Sequence, residues 1–131
     1  MYLWLVLILF LGGCAASDPS ATAQLQSNQV EVYPRVSLTP QQMQLIYSGV
    51  QRVLSDPNSA RFGNINAGRR PDGTLYVCGS VDVRNSSGAY TGEQPFYGTL
   101  DQREFTPITI GGSEEQSRAI EAYCRQQLAL G

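Results

Sequence analysis

The chain has 131 residues, enough for one small domain with short flanking segments. A hydrophobic fraction of 42% supports a core, and a net charge of -2 excludes the basic stripe that nucleic-acid binding needs. All nine basic residues are arginine and there is no histidine, which excludes a Schiff-base lysine, a catalytic imidazole and the commonest metal ligand.

Tyr2 to Leu11 is an unbroken apolar run that ends at Gly12-Gly13-Cys14. Its length covers about half of a hydrocarbon core, which suits the apolar region of a signal peptide better than a permanent span. Leu11-Gly12-Gly13-Cys14 resembles the lipobox of bacterial lipoproteins, in which an apolar residue and two small ones precede the modified cysteine. No Lys or Arg precedes the run, so only the terminal amine supplies positive charge there. The resemblance implies that residues 1–13 are removed as a signal peptide and that Cys14 carries the lipid. Several acyl chains, at about 0.8 kcal/mol per buried methylene, give stable anchoring. Ala15 rather than Asp follows the cysteine, which by the same resemblance favours an outer-membrane anchor facing the periplasm over the inner membrane.

Ala15 to Gln29 is rich in Ala, Ser, Gln and Asn and has no aromatic residue, so it reads as a flexible tether. The expected organisation is a signal peptide over 1–13, a lipid-anchored tether over 14–37 and a single domain over 38–131. Val30, Val32 and Val36 could lay a short extended segment on the domain edge, with Pro34 limiting its pairing.

The first helix has a complete set of local signals. Thr39 is a good N-cap, Pro40 suits the first helical position, Gln42 closes a capping box, and Leu38 and Met43 stand at staple positions. Met43, Ile46, Tyr47, Val50, Val53 and Leu54 then form one apolar face. Pro57 predicts an end near Ser55, with an Asp56-capped turn after it.

Strand-like segments follow at 62–67, 74–84, 90–100 and 105–110, separated by turn signals at 70–73 and 85–88. Leu75, Val77, Val81 and Val83 alternate as in a half-buried strand, yet Cys78 has the opposite parity. Either both faces are covered or Gly79 introduces a bulge. Pro95 marks an edge or an irregularity. A second capping box, Ser113 to Gln116, opens a final helix whose Ile120, Tyr123, Cys124 and Leu128 share one face. Glu114 and Glu115 suit its positive first turn.

With Cys14 assigned to the lipid, Cys78 and Cys124 remain as a pair, and in an exported chain such a pair is expected to be bridged. Two buried free thiols are the alternative. The expected fold is α+β: an antiparallel sheet of three to four strands packed by an N-terminal and a C-terminal helix and joined by one disulfide.

Three stretches resemble an uncharacterised family of small bacterial envelope proteins and lipoproteins. They are Asp56-Pro57-Asn58-Ser59-Ala60-Arg61-Phe62, Val77-Cys78-Gly79-Ser80-Val81, and Asn85 through Gly92 with Pro95-Phe96, followed by a late cysteine at Cys124. The resemblance bears on the fold and implies no activity. Asp56-Pro57-Asn58 opens like a calcium loop, but Ala60 and Arg61 stand where an oxygen ligand and a glycine are needed, so no metal or cofactor is expected.

Asn85 to Phe96 is the most suggestive stretch, combining glycines, hydroxyls and the aromatic residues Tyr90 and Phe96. Its composition suits adaptable contact with another envelope protein or a glycan, while a glycine-rich hairpin with core aromatics is the plainer reading. Asp82 and Arg84, two apart on one strand, are expected to pair with each other. The candidate interaction surface is therefore Asp82, Arg84, Asn85, Tyr90 and Phe96. A non-enzymatic envelope module is the leading functional expectation. The alternatives are a weak hydrolase using carboxylates such as Asp82 or Glu93, whose glycosidase form needs two carboxyls about 5–9 Å apart, and an inhibitor or exclusion factor.

Overall fold

The computed structural model describes residues 30–130. The apolar run, Cys14 and the tether up to Gln29 lie outside the described residues. Five strands form one antiparallel sheet in sequence order: β1 (Arg35–Val36), β2 (Arg61–Arg69), β3 (Leu75–Asp82), β4 (Gln94–Leu100) and β5 (Phe105–Ile110). Helix α1 (Pro40–Gln51) precedes β2, and α2 (Glu114–Leu128) follows β5. The α+β class and the disulfide agree with expectation; the strand count is higher, because the short β1 adds an edge.

Both capping boxes form. The Thr39 hydroxyl accepts the Gln42 N–H at 3.2 Å and the Gln42 side chain accepts the Thr39 N–H at 2.9 Å. Ser113 and Gln116 repeat the exchange at 3.2 Å in each direction. Helix α1 ends at Gln51, ahead of the expected Ser55. Beyond it, Val53 and Leu54 turn back onto Val50 and Gln51 through tighter backbone bonds, and Val53 stands 57% exposed, off the apolar face assigned to it. The chain then forms a single turn of 3-10 helix at Pro57–Ser59. Asp56 makes no side-chain cap there. Instead the Ser59 hydroxyl donates to the Asp56 carbonyl at 2.9 Å.

The two helices cover opposite faces of the sheet, which resolves the parity of β3. Leu75, Val77 and Val81 face α1 and pack with Ile46, Val50 and Phe105, while Tyr76 and Cys78 pack with Ile120, Cys124 and Leu128 of α2. β3 holds one unbroken register with β4, from Leu75 opposite Leu100 to Val81 opposite Gln94. The bulges lie elsewhere, in β2 between Phe62 and Ile65 and at Tyr97/Gly98 on the β4–β5 pair. α1 lies close against β5: a Cβ on Gly49 would stand 2.4 Å from the Phe105 carbonyl oxygen, so only glycine permits that approach.

Cys78 and Cys124 are disulfide-bonded, with their Cα atoms 6.0 Å apart, joining the middle of the sheet to α2. The packed unit begins ahead of residue 38: Tyr33 is buried, its N–H donates to the Gln127 carbonyl at 2.8 Å, and Arg35 and Val36 pair with Gly68 and Ala67. Pro34 donates nothing, but its carbonyl accepts the Arg69 N–H at 2.9 Å. No helix among the described residues is long and apolar enough to cross a membrane.

Candidate functional site: a tyrosine platform flanked by two arginines

Two distant segments meet at one end of the sheet, the 3-10 turn with the start of β2 and the 82–92 hairpin. Tyr90 pairs with Arg84 across the hairpin in an isolated bridge. Its hydroxyl donates to the Ser59 carbonyl at 2.7 Å. Ser59 is itself buried, and its hydroxyl oxygen accepts the Arg84 N–H at 3.0 Å. One serine thus ties the Asp56 turn, β2 and both arms of the hairpin together.

The Tyr90 ring fixed in this way carries two cations. The Arg61 guanidinium carbon lies 3.8 Å from the ring centroid and that of Arg84 lies 5.6 Å from it. Both arginines are exposed and the ring is half-buried. Ring faces carry negative charge density, so each contact is favourable by about 0.5–1 kcal/mol at an exposed site. The hairpin tip is self-contained. Asn85 Oδ1 accepts the N–H groups of Ser87 and Ala89 at 2.9 and 3.1 Å, and Gly88 supplies a positive φ of 80°.

The structure brings together four of the five residues expected at an interaction surface: Asp82, Arg84, Asn85 and Tyr90. Two corrections apply. Phe96 is fully buried, packed edge-on against Phe62 and Phe105 with centroids 6.4 and 5.9 Å apart, so it belongs to the core. Asp82 and Arg84 form no ion pair. Asp82 accepts the Gly92 N–H at 3.3 Å while Arg84 turns to the Tyr90 ring, because the hairpin leaves the ladder between the two residues. Sequence reasoning missed Ser59 and Arg61 as members of the site. Their signal was the Asp56–Phe62 stretch, which carries residues that neither a helix nor a strand pattern explains.

Four clefts among the described residues lie away from this platform, one of them, about 440 Å³, between the 31–36 segment and residues 69–71. The largest, about 720 Å³, runs between the start of α1 and the 70–74 and 101–103 turns. Its carboxylates are committed to the turns. Asp72 accepts the Thr74 hydroxyl and N–H at 2.6 and 2.9 Å, and Asp101 accepts the N–H groups of Arg103 and Glu104 at 2.7 and 2.8 Å. These bonds hold both carboxyls below the usual carboxylate range.

Helix α2 lies on its face of the sheet with a cleft on either side. One, about 340 Å³ and mostly apolar, is lined by Tyr97, Thr109, Ile120 and Tyr123. The other, about 370 Å³, is lined by Cys78 and Cys124 together with Asn64, Ser80, Glu93, Glu121 and Arg125. In it the Ser80 hydroxyl donates to Glu93 at 2.8 Å. Asp82, the other carboxylate named for a hydrolase, does not line this cleft.

Next to the apolar cleft, Tyr76 contacts Tyr33, Tyr97 and Tyr123, with ring centroids 5.6, 5.7 and 6.0 Å away. Its hydroxyl is buried with no hydrogen-bond partner among the described residues. Burial, followed by the neighbouring phenols, pushes it well above the ordinary tyrosine range. No group of three or more His, Cys, Asp or Glu among the described residues is placed to hold a metal ion. Searches of protein-family models, characterised proteins and solved structures found nothing that matches this chain.

Proposed function

We propose that this chain is a lipid-anchored cell-envelope protein, held by Cys14 on the periplasmic side of the outer membrane, and that its domain is a non-enzymatic interaction module. The domain docks another envelope component through the face formed by Arg61, Arg84 and Tyr90. The observation that carries the reading is the platform itself. Segments 56–61 and 84–90 are locked together by Ser59, and the groups they present are spent neither on the core nor on ion pairs. Rigid support beneath a half-buried aromatic and two exposed arginines is the composition of an interface anchor. A tether over 15–29, read from its composition, would give such a domain reach from its lipid.

The test uses intact envelopes. A photo-crosslinker at Ser87, exposed beside the platform, should capture one partner in the wild type and lose it in Tyr90→Ala. Capture that persists in Tyr90→Ala overturns this face as the docking surface. Incorporation of a fatty-acid analogue, abolished by Cys14→Ser, tests the anchor, and an unlabelled wild type overturns it.

A carboxylate-dependent hydrolase is the competing reading, and the observation favouring it is the cleft that Glu93 and Glu121 share beside the disulfide. Turnover of envelope glycan that is lost in Glu93→Gln would establish it over the interaction module.

A further inference from the structure

We propose that Arg61 and Arg84, set against the Tyr90 ring, form a binding site for a carboxylate group, and that the docking partner is a polypeptide presenting an acidic residue or a free C-terminus. This inference rests on the reading of that face as the docking surface and assigns its chemistry.

The first ground is unspent charge. Among the described residues the ion pairs are Arg52–Glu104 and Arg118–Glu114. Among the described residues no carboxylate lies within 4.0 Å of the guanidinium of Arg61 or Arg84, although both are exposed and Asp82 stands opposite Arg61 in the β2–β3 ladder. Two like charges gathered on one ring repel each other. The ring offsets part of that repulsion, and an anion bound beside the guanidinium groups offsets more of it.

The second ground is preorganisation. Tyr90 is held at its hydroxyl by the Ser59 carbonyl, and Arg84 is held at its backbone by the Ser59 hydroxyl. The ring contact favours guanidinium positions near its face, so part of the side-chain freedom is already spent before binding. The planar fork of arginine matches a carboxylate with two parallel N–H donors.

The third ground selects the anion. Asp82 borders the site, its carboxylate turned to the Gly92 N–H, and the whole chain has a net charge of -2. This field suits a single negative charge and opposes a phosphate dianion or a polyanion.

The experiment is an NMR titration of the purified full-length chain, 15N-labelled at arginine, with an N-acetylated triglycine peptide whose single charge is its C-terminal carboxylate. The Nε–H signals of Arg61 and Arg84 should shift together and saturate, while those of Arg52 and Arg118 stay in place. Loss of one charge-assisted pair predicts that Arg84→Gln weakens binding about tenfold. Arg84→Lys keeps the charge and loses the fork, so it should also weaken binding. It serves in place of the glutamine variant if that variant fails to fold. Shifts spread evenly over all nine arginines, or none at all, overturn the site. Inorganic phosphate binding the same pair more tightly than the peptide overturns the assignment to a carboxylate. A saturable titration with no crosslinked partner in envelopes would leave the anion site standing and remove the docking reading, and the converse would do the reverse.

Discussion

The Tyr90 hydroxyl donates to the carbonyl of Ser59 at 2.7 Å, bridging thirty-one residues of sequence. That bond joins the 3-10 turn to the hairpin and fixes the ring on which Arg61 and Arg84 rest. Tyr90→Phe keeps the ring and removes the bond, and one neutral hydrogen bond is worth about 1 kcal/mol net. Urea unfolding should register that loss with an unchanged m-value. Ser59→Ala should cost about 1–2 kcal/mol, because it leaves the part-buried Arg84 N–H without its acceptor. A Tyr90→Phe protein with wild-type stability would show that the hydroxyl does not hold the two segments together.

Phe96 separates a core hairpin from a surface one. It is fully buried beneath Phe62 and Phe105, so Phe96→Ala should cost about 3–5 kcal/mol, against about 0.5 kcal/mol for truncation at a surface position. Its packing also explains Gly79. A Cβ there would stand 2.5 Å from the tip of the Phe96 ring, so Gly79→Ala forces the ring to move and should cost about 1–3 kcal/mol. Thermal or urea unfolding of both variants checks the pair, and a mild Phe96→Ala would return that residue to the surface.

The contrast between Phe96 and the capping boxes shows where sequence reasoning succeeds in this chain. Thr39 with Gln42 and Ser113 with Gln116 close over three residues, so the information that fixes them is local and was legible. The disulfide was legible because the first cysteine separates from the other two by context. The end of α1 was not. Val53 and Leu54 continue the helical spacing, and only the path to β2 turns them away. The two-residue β1 carries no periodicity of its own. The parity of β3 left two possibilities open, because whether one or both faces of a strand are covered is decided by elements far away in sequence. The platform lies between these cases. Its tyrosine and one arginine stood out by composition, whereas Arg61 and Ser59 join it only through tertiary contact.

The Cys78–Cys124 bond closes a loop of 46 residues between β3 and α2. On the chain-entropy model a loop of that length stabilises the fold by about 4 kcal/mol. For a domain of this size that is a large share of the total. The paired Cys78→Ala/Cys124→Ala variant should lose it, and reduction of the wild type in urea should bring the two unfolding midpoints together. A reduced wild type that unfolds at the oxidised midpoint would show that the helix stays on the sheet without the bond.

Stability should fall at both ends of the pH range, for opposite reasons. At the acid end, hydrogen bonds from Thr74 to Asp72, and from the backbone of Arg103 and Glu104 to Asp101, lower both folded-state pKa values. A depressed pKa contributes stability above the unfolded value of about 4 and loses it as the pH falls through the folded one. Asp101→Asn keeps an acceptor for the turn and removes the charge, so it should flatten part of that acid limb. At the alkaline end, burial raises the pKa of Tyr76. An unfolded Tyr76 releases its proton near about pH 10 while the folded one keeps it, so stability declines as the pH rises past that point. Absorbance at 295 nm should show one tyrosine resisting ionisation until the protein unfolds. Tyr76→Phe should abolish that signal. Because it also removes a buried hydroxyl with no partner, it should leave stability at neutral pH unchanged or raised by up to about 1 kcal/mol. A marked loss of stability in Tyr76→Phe would instead mean that the hydroxyl has a partner among the surrounding groups.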